Sequence, residues 1–221
     1  MSVEIQLDPH EARLFGVLIE KQLTTADQYP LSLNAATNGA NQKSNRDPVL
    51  SLTEDEVAEA LHRLEQKYLV RKVFSRVERY LHNGREALAL ETPQLAIMAE
   101  LLMRGPQMPG ELRTRVSRMS PVDSQEHMHQ LLQPLLDRGL VERLPPSPGA
   151  RAERYVQMLS PGLHPLDIPA PAWAEQAPAT GAANPGLEAR VSVLETELAR
   201  LRSQLGVLAA KLGESLDRLS D

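Results

Sequence analysis

The chain has 221 residues, enough for two compact domains and a tail, and no cysteine, which excludes disulfides and thiolate chemistry. A net charge of -5 and a pI near 5.7 argue against tight, non-specific nucleic-acid binding driven by phosphate neutralisation. The opening Met1-Ser2-Val3-Glu4-Ile5-Gln6 has no basic or long apolar run, and no later stretch is apolar enough to span a bilayer, so a soluble cytoplasmic protein without a membrane partner is expected. The charge is -3 over residues 1–92, +1 over 93–160 and -3 over 161–221, so any nucleic-acid surface must be a local patch.

Asp8-Pro9-His10-Glu11 announces the first helix: an acid at the cap, proline at the first helical position and glutamate at the third satisfy or remove the unpaired amides of a helix start. Leu14, Val17 and Leu18, widened by Phe15 and Ile19, supply its apolar stripe. Thr24-Thr25 and Tyr29-Pro30 break the pattern, and a short, weak helix is expected from about Leu31 to Asn41. Asn41-Gln42-Lys43-Ser44-Asn45-Arg46-Asp47-Pro48 is polar or turn-forming throughout and reads as a loop. It offers Lys43 and Arg46 to an anion. The plainer reading, which the residue types favour, has Asn41, Asn45 and Asp47 bonding local backbone to hold a long turn.

Leu52-Thr53-Glu54-Asp55-Glu56-Val57 starts the third helix, with Thr53 as cap and Glu56 reaching back to complete the box; Val57, Leu61 and Leu64 form its buried stripe. Leu69–Val73 and Val77–Tyr80 read as two strands joined by a tight turn near Ser75. The order then repeats. Thr92-Pro93 opens a helix carrying Leu95, Met98, Ala99 and Leu102, closed by Gly105-Pro106, and Pro109–Met119 makes a short one. A third helix starting at Asp123 and Glu126 has a core of Met128, Leu131, Leu132, Leu135 and Leu136, and Pro134 inside it is expected to kink it or shift its limits. A second hairpin follows, looped by Pro145-Pro146-Ser147-Pro148-Gly149, with its return strand at Arg151–Leu159.

The repetition is explicit in the residues. Leu61, Leu64 and Leu69 recur as Leu132, Leu135 and Leu140 at an offset of 71, and Arg76-Val77-Glu78-Arg79-Tyr80 recurs as Arg151-Ala152-Glu153-Arg154-Tyr155 at 75, so the second hairpin is four residues longer. Three helices and a two-stranded wing, twice over, predict a mainly α fold with small β wings (α+β): winged-helix domains at 1–91 and 92–160.

Four runs, Glu20-Lys21-Gln22, Tyr29-Pro30-Leu31-Ser32, Asn41 to Val49 and Arg104 to Arg113, closely resemble the YceH family of bacterial proteins, over roughly residues 7–160. The resemblance implies a tandem winged-helix fold in a bacterial cytoplasmic protein and brings no biochemical activity with it. It also implies a cysteine before the Asn-Gln-Lys run, where this chain has Ala40, so a thiol-based role for the loop is untenable here.

Beyond Ser160, Pro161, Pro165, Pro169, Pro171, Pro178 and Pro185 among alanines and glycines describe an extended Pro/Ala-rich linker over 161–186, holding a lone Trp173. Over 187–221, Leu187, Val191, Leu194, Leu198, Leu201, Leu205, Leu208, Leu212 and Leu219 alternate spacings of four and three, a C-terminal coiled-coil seam that needs a partner. In a parallel homodimer Arg190 meets Glu195 and Glu197 meets Arg202, which favours self-association over folding back onto the domains.

For chemistry, six histidines are scattered, and the one close pair, His127 and His129, points to different helix faces. There is no zinc-type spacing, no nucleophile triad and no Gly-rich phosphate loop, so the expectation is a non-enzyme with no metal and no cofactor. Two functions remain. Duplex DNA binding as a regulator rests on Lys43 and Arg46, on Lys67, Arg71, Lys72, Arg76 and Arg79 in the first wing, on Arg113, Arg115 and Arg118 around the short helix, and on Arg151 and Arg154 in the second wing. The alternative is a protein-interaction adaptor, because the would-be reading helices open with Glu54, Asp55, Glu56 and Glu59 and with Asp123 and Glu126, which repel phosphate. The balance leans slightly to nucleic acid on the strength of the wings.

Overall fold

The computed structural model describes residues 5–74, 76–146 and 153–164. Ser75, Arg151, the linker from residue 165 and the whole heptad segment 187–221 lie outside them. Within them the chain is α+β, seven α-helices with two small antiparallel sheets.

Helix α1 (Pro9–Thr24) starts as its sequence requires: the Asp8 side chain accepts from the amides of His10 and Glu11, and Glu11 accepts from the Asp8 amide. From Glu11 to Glu20 it is buried on every side. Helices α2 (Leu33–Ala40) and α3 (Glu54–Gln66) pack on it from their own half of the chain, and α5 (Thr92–Arg104) from the other half. Leu14, Phe15, Val17, Leu18 and Ile19 have no exposed surface, and burying each such side chain contributes about 1.5–3 kcal/mol. Gly16 lets α5 approach: a Cβ there would lie 3.0 Å from Met103 and 3.3 Å from the Ala99 carbonyl. The core is one continuous cluster from Leu7 to Leu163.

The weak second helix is shorter than the expected span from Leu31 to Asn41, because Leu31–Ser32 is instead a strand, β1, and Ser32 caps α2. Strand β1 adds to the hairpin of β2 (Val70–Phe74) and β3 (Glu78–His82), giving the order β1-β3-β2 with Leu31 opposite Tyr80 and Lys72 opposite Tyr80 on the other side. Thr53 and Glu56 form the expected capping box of α3. A five-residue helix, α4 (Gly84–Leu88), has no side-chain cap and was not expected.

The second half repeats the plan. Helix α6 (Pro109–Val116) ends three residues before the expected Met119. Helix α7 (Gln125–Asp137) is capped by Ser124, whose hydroxyl accepts from the His127 amide, rather than by Asp123. It runs through Pro134, which sits on its exposed side and leaves the buried Met128, Leu132 and Leu135 in one stripe; Leu131 and Leu136 are half-buried. Strands β4 (Val141–Leu144) and β5 (Arg154–Gln157) pair with Arg143 opposite Tyr155, and Gln107 bridges to Tyr155 as β1 does to Tyr80. The chain then returns to its start: the Leu7 amide donates to the Leu159 carbonyl at 2.7 Å, and His164 Nε2 bonds the Asp47 carbonyl at 2.6 Å.

Candidate functional site

Charged residues inside a helix with no exposed face must find partners, since an isolated buried charge is severely penalised. Helix α1 carries Glu20 and helix α5 carries Glu100, both buried. Arg46 reaches Glu20 at 2.6 Å, and its remaining donors go to the Gly39 and Asn45 carbonyls and to Gln42 Oε1. Arg118, at the end of the second half's short helix, bridges Glu20 at 2.6 Å and Glu100 at 3.2 Å. Arg104 lies 2.8 Å from Glu100 and donates to Asn45. Burial alone would raise the Glu20 carboxyl, but Arg46 and Arg118 outweigh it and hold the group below the usual carboxylate range. The result is an ionic clasp across the two halves of the chain.

The polar loop 41–48 is the third member of this clasp. Asn41 holds Leu52 with both ends of its amide, donating to the carbonyl and accepting from the amide at 2.8 Å each. Buried Arg13 donates to the Ala40 and Pro48 carbonyls, and the Asp47 amide donates to the Met103 carbonyl. The plainer reading of the loop therefore fits Asn41 alone: the Asn45 side chain accepts from Arg104 instead, and Asp47 is held by its backbone to Met103 and His164. Arg46, a candidate for nucleic acid, is instead only 6% exposed and fully engaged inside the fold. Lys43 is exposed.

The hairpin candidates divide in the same way. Lys67 donates to Glu11 at 2.6 Å and to the Gln6 carbonyl. Lys72 sits between Glu78 at 3.3 Å and Glu65 at 3.9 Å, 5.6 Å from the centre of the Tyr80 ring, and Arg79 donates to the Pro30 carbonyl. Arg115 donates to Gln107 at 2.6 Å, while Arg113 and Arg154 are half-buried. Arg118 belongs to the clasp. Only Lys43, Arg71 and Arg76 are exposed and without a side-chain partner among the described residues of this candidate set.

The repeated pentapeptide has a structural role visible in both copies. Glu78 pairs with Lys72 across the first hairpin, and Glu153 pairs with Arg143 at 3.3 Å across the second. Each terminal tyrosine is buried, at 4% exposure, where the third strand or bridge joins. These are cross-strand locks.

Sequence reasoning missed Glu20, Glu100 and Arg13. A signal was present: Glu100 interrupts the apolar run of α5, and Arg13 and Glu20 flank the run Leu14–Ile19 of α1, which marks charges that must be paired inside. It also missed His82 on β3. Its ring meets Phe15 edge-on with centroids 6.3 Å apart, and its backbone amide donates to Tyr29 Oη at 2.6 Å. The Gly84 amide donates to Nδ1 at 3.1 Å, so Nε2 carries the proton and donates to Gln22 Oε1. Burial pushes this ring down to about 4, so it is neutral at physiological pH. Among the described residues, no group of three or more histidines, aspartates and glutamates is placed to hold a metal, and no helix is long and apolar enough to cross a membrane.

These features define a twice-repeated helix-and-hairpin unit fused through one helix pair and an ionic clasp. A family model described as "Protein of unknown function, DUF480" matches residues 7–150. A UPF0502 protein of Geotalea daltonii is 49% identical over 162 residues, covering 72% of this chain and 74% of its own length. UPF0502 proteins of Mesorhizobium japonicum and Hahella chejuensis are 47% and 44% identical over 191 and 194 residues, each covered over 89% of its length. The chain belongs to this DUF480/UPF0502 family of bacterial proteins. Three of the four runs that carry the resemblance supply clasp residues, Glu20, Arg46 and Arg104, and the fourth supplies Tyr29 to His82.

Proposed function

We propose that the chain is a non-enzymatic cytoplasmic adaptor, built from two winged-helix modules of the YceH type, that binds a protein partner of basic character. The observation that carries this reading is the exposed N-terminal end of α3. Glu54, Asp55, Glu56 and Glu59 are all exposed there, whereas its basic Arg63 turns back to Asp8 at 2.9 Å and to Glu59 at 3.1 Å. A reading helix of that charge repels a phosphate backbone and suits a cationic protein surface. The heptad pattern of residues 187–221 supports self-association, which would present two such faces; deleting 187–221 is expected to give a monomer in sedimentation, and a truncated dimer refutes that role.

A second reading, duplex binding by the first wing, is favoured by its tip. Phe74 and Val77 are 78% and 53% exposed with exposed Arg76 next to Val77, and exposed Arg71 lies further back on β2, an apolar and arginine combination that suits a minor groove. With Lys43 these give three available cations among the described candidates, which correspond to a logarithmic salt slope of about -3. The deciding experiment titrates the full chain with mixed-sequence duplex across a salt series, and separately compares co-purified partners of the wild type with those of Glu54→Gln/Asp55→Asn/Glu59→Gln. Loss of a defined partner in the variant, with no duplex binding at low salt, supports the adaptor. Salt-dependent duplex binding abolished by Arg71→Ala/Arg76→Ala replaces it with the DNA reading.

A further inference from the structure

A cavity of about 320 Å³ opens where the first hairpin meets α1, α4 and α5; of its lining, the readings above use only Arg71. Its size falls at the small end of the range that binds organic metabolites, roughly 300 Å³ upward. Ile19 and Leu23 from α1, Leu81 from β3 and Leu95 from α5 give it an apolar wall. Gly84 lets α4 pack closely on the same helices: a Cβ there would come within 3.0 Å of Phe15 and 3.1 Å of Leu95.

Six of the ten lining residues are polar, and two of them orient each other. Because His82 Nε2 donates to Gln22 Oε1, the Gln22 amide is held with its oxygen toward the ring, leaving the NH2 end as a donor at the cavity wall. Thr92 adds a hydroxyl. The rim carries Arg71 and Arg85 against a single acid, Glu86. Arg71 is exposed with no side-chain partner among the described residues, and Arg85 makes an exposed pair with Glu91 at 2.7 Å, an interaction of small net value. Guanidinium donors, an outward amide NH2 and an aliphatic wall match one ligand chemistry, a carboxylate on a compact apolar body.

We propose that this cavity is a binding site for a small organic carboxylate with a short apolar tail, its carboxylate on Arg71 and the Gln22 amide and its tail against Leu23, Leu81 and Leu95. Arg71 and Leu81 are cross-strand partners in the hairpin, while Leu23 and Leu95 belong to the central helices. An occupant therefore braces the first hairpin against the helix pair, whatever the hairpin contacts.

The test uses the full-length, ¹⁵N-labelled chain. It is titrated with 4-methylpentanoate and benzoate, with the matching neutral amides, and with inorganic phosphate, while the Gln22 side-chain NH2 and the Leu95 and Thr92 amides are followed by NMR. The carboxylates are expected to shift these signals saturably, the amides and phosphate to leave them unmoved, and Arg71→Ala to weaken binding at least about tenfold through the lost charged hydrogen bond. Leu23→Phe, a half-exposed wall position, fills the space and is expected to abolish the shifts. Either carboxylate failing to move these signals at tens of millimolar overturns the site, as does an unchanged affinity in Arg71→Ala. Equal response to phosphate or to the amides overturns the ligand class.

Discussion

The two halves of the folded unit use one backbone plan with different side chains, and the comparison separates what the plan needs from what each half adds. Both third helices end in the same hydrogen-bonded cap. The Leu69 amide returns to Leu64 and the Leu140 amide to Leu135, while Tyr68 and Gly139 hold the left-handed position between, at φ 60° and 66°. Glycine is the ordinary choice there and tyrosine is strained. Lys72–Glu78 and Arg143–Glu153 occupy equivalent hairpin places despite the four extra residues of the second loop. What differs is the outer face: α3 exposes four acids near its start, whereas α7 exposes Gln125, Glu126, His129, Gln130 and Gln133. The plan is common; the surface chemistry is individual to each half.

The clasp is where the halves depend on each other, so breaking it has the largest expected effect. Arg46→Ala removes one partner of a buried pair and should cost about 3–5 kcal/mol in urea unfolding. Arg143→Ala, the exposed lock of the second hairpin, serves as its control. The next effect is pH dependence. His82 has a folded pKa lowered to about 4 against an ordinary 6.5, so the unfolded chain binds the proton first. Its stabilising contribution is whole above about 6.5 and is lost as pH falls toward 4, on the order of 3 kcal/mol. His82→Asn should flatten the urea midpoint over that window. Glu20 acts lower: its depressed folded pKa gives stability present above the ordinary 4.5 and lost as pH falls through the folded value, and Glu20→Gln should remove that acid-side loss.

Smaller effects sharpen the comparison itself. Tyr68→Gly should stabilise the first half by about 0.5–1 kcal/mol, and Gly139→Ala should destabilise the second by about 1 kcal/mol, both read from thermal unfolding. A Tyr68→Gly variant less stable than wild type would show that this exposed ring has a contact beyond its backbone position. Arg143→Ala should change stability by less than about 0.5 kcal/mol, since both members of its pair are exposed.

The legible part of this molecule was local. Asp8 with Glu11 and Thr53 with Glu56 announced helix starts because a capping box is written within four residues. The doubled pentapeptide announced two hairpins. Strand β1 was illegible because two residues carry no periodicity, and α4 because five residues beginning with glycine carry neither cap nor stripe. The basic residues count as nucleic-acid candidates in the sequence because it shows their charge and hides their partners: Arg46 and Arg118 meet Glu20 from distant points of the chain, and Lys67 meets Glu11. Only packing distinguishes an arginine that neutralises a buried acid from one that faces water.

The junction of Leu7 with Leu159, and of Asp47 with His164, has a mechanical meaning. Leu159 and His164, close to the end of the described residues, are thus held against Leu7 and against the loop that carries Arg46. Tension applied at residue 164 would load these few bonds before any hairpin or outer helix. A pull at His164 thus strains the joint between the halves first.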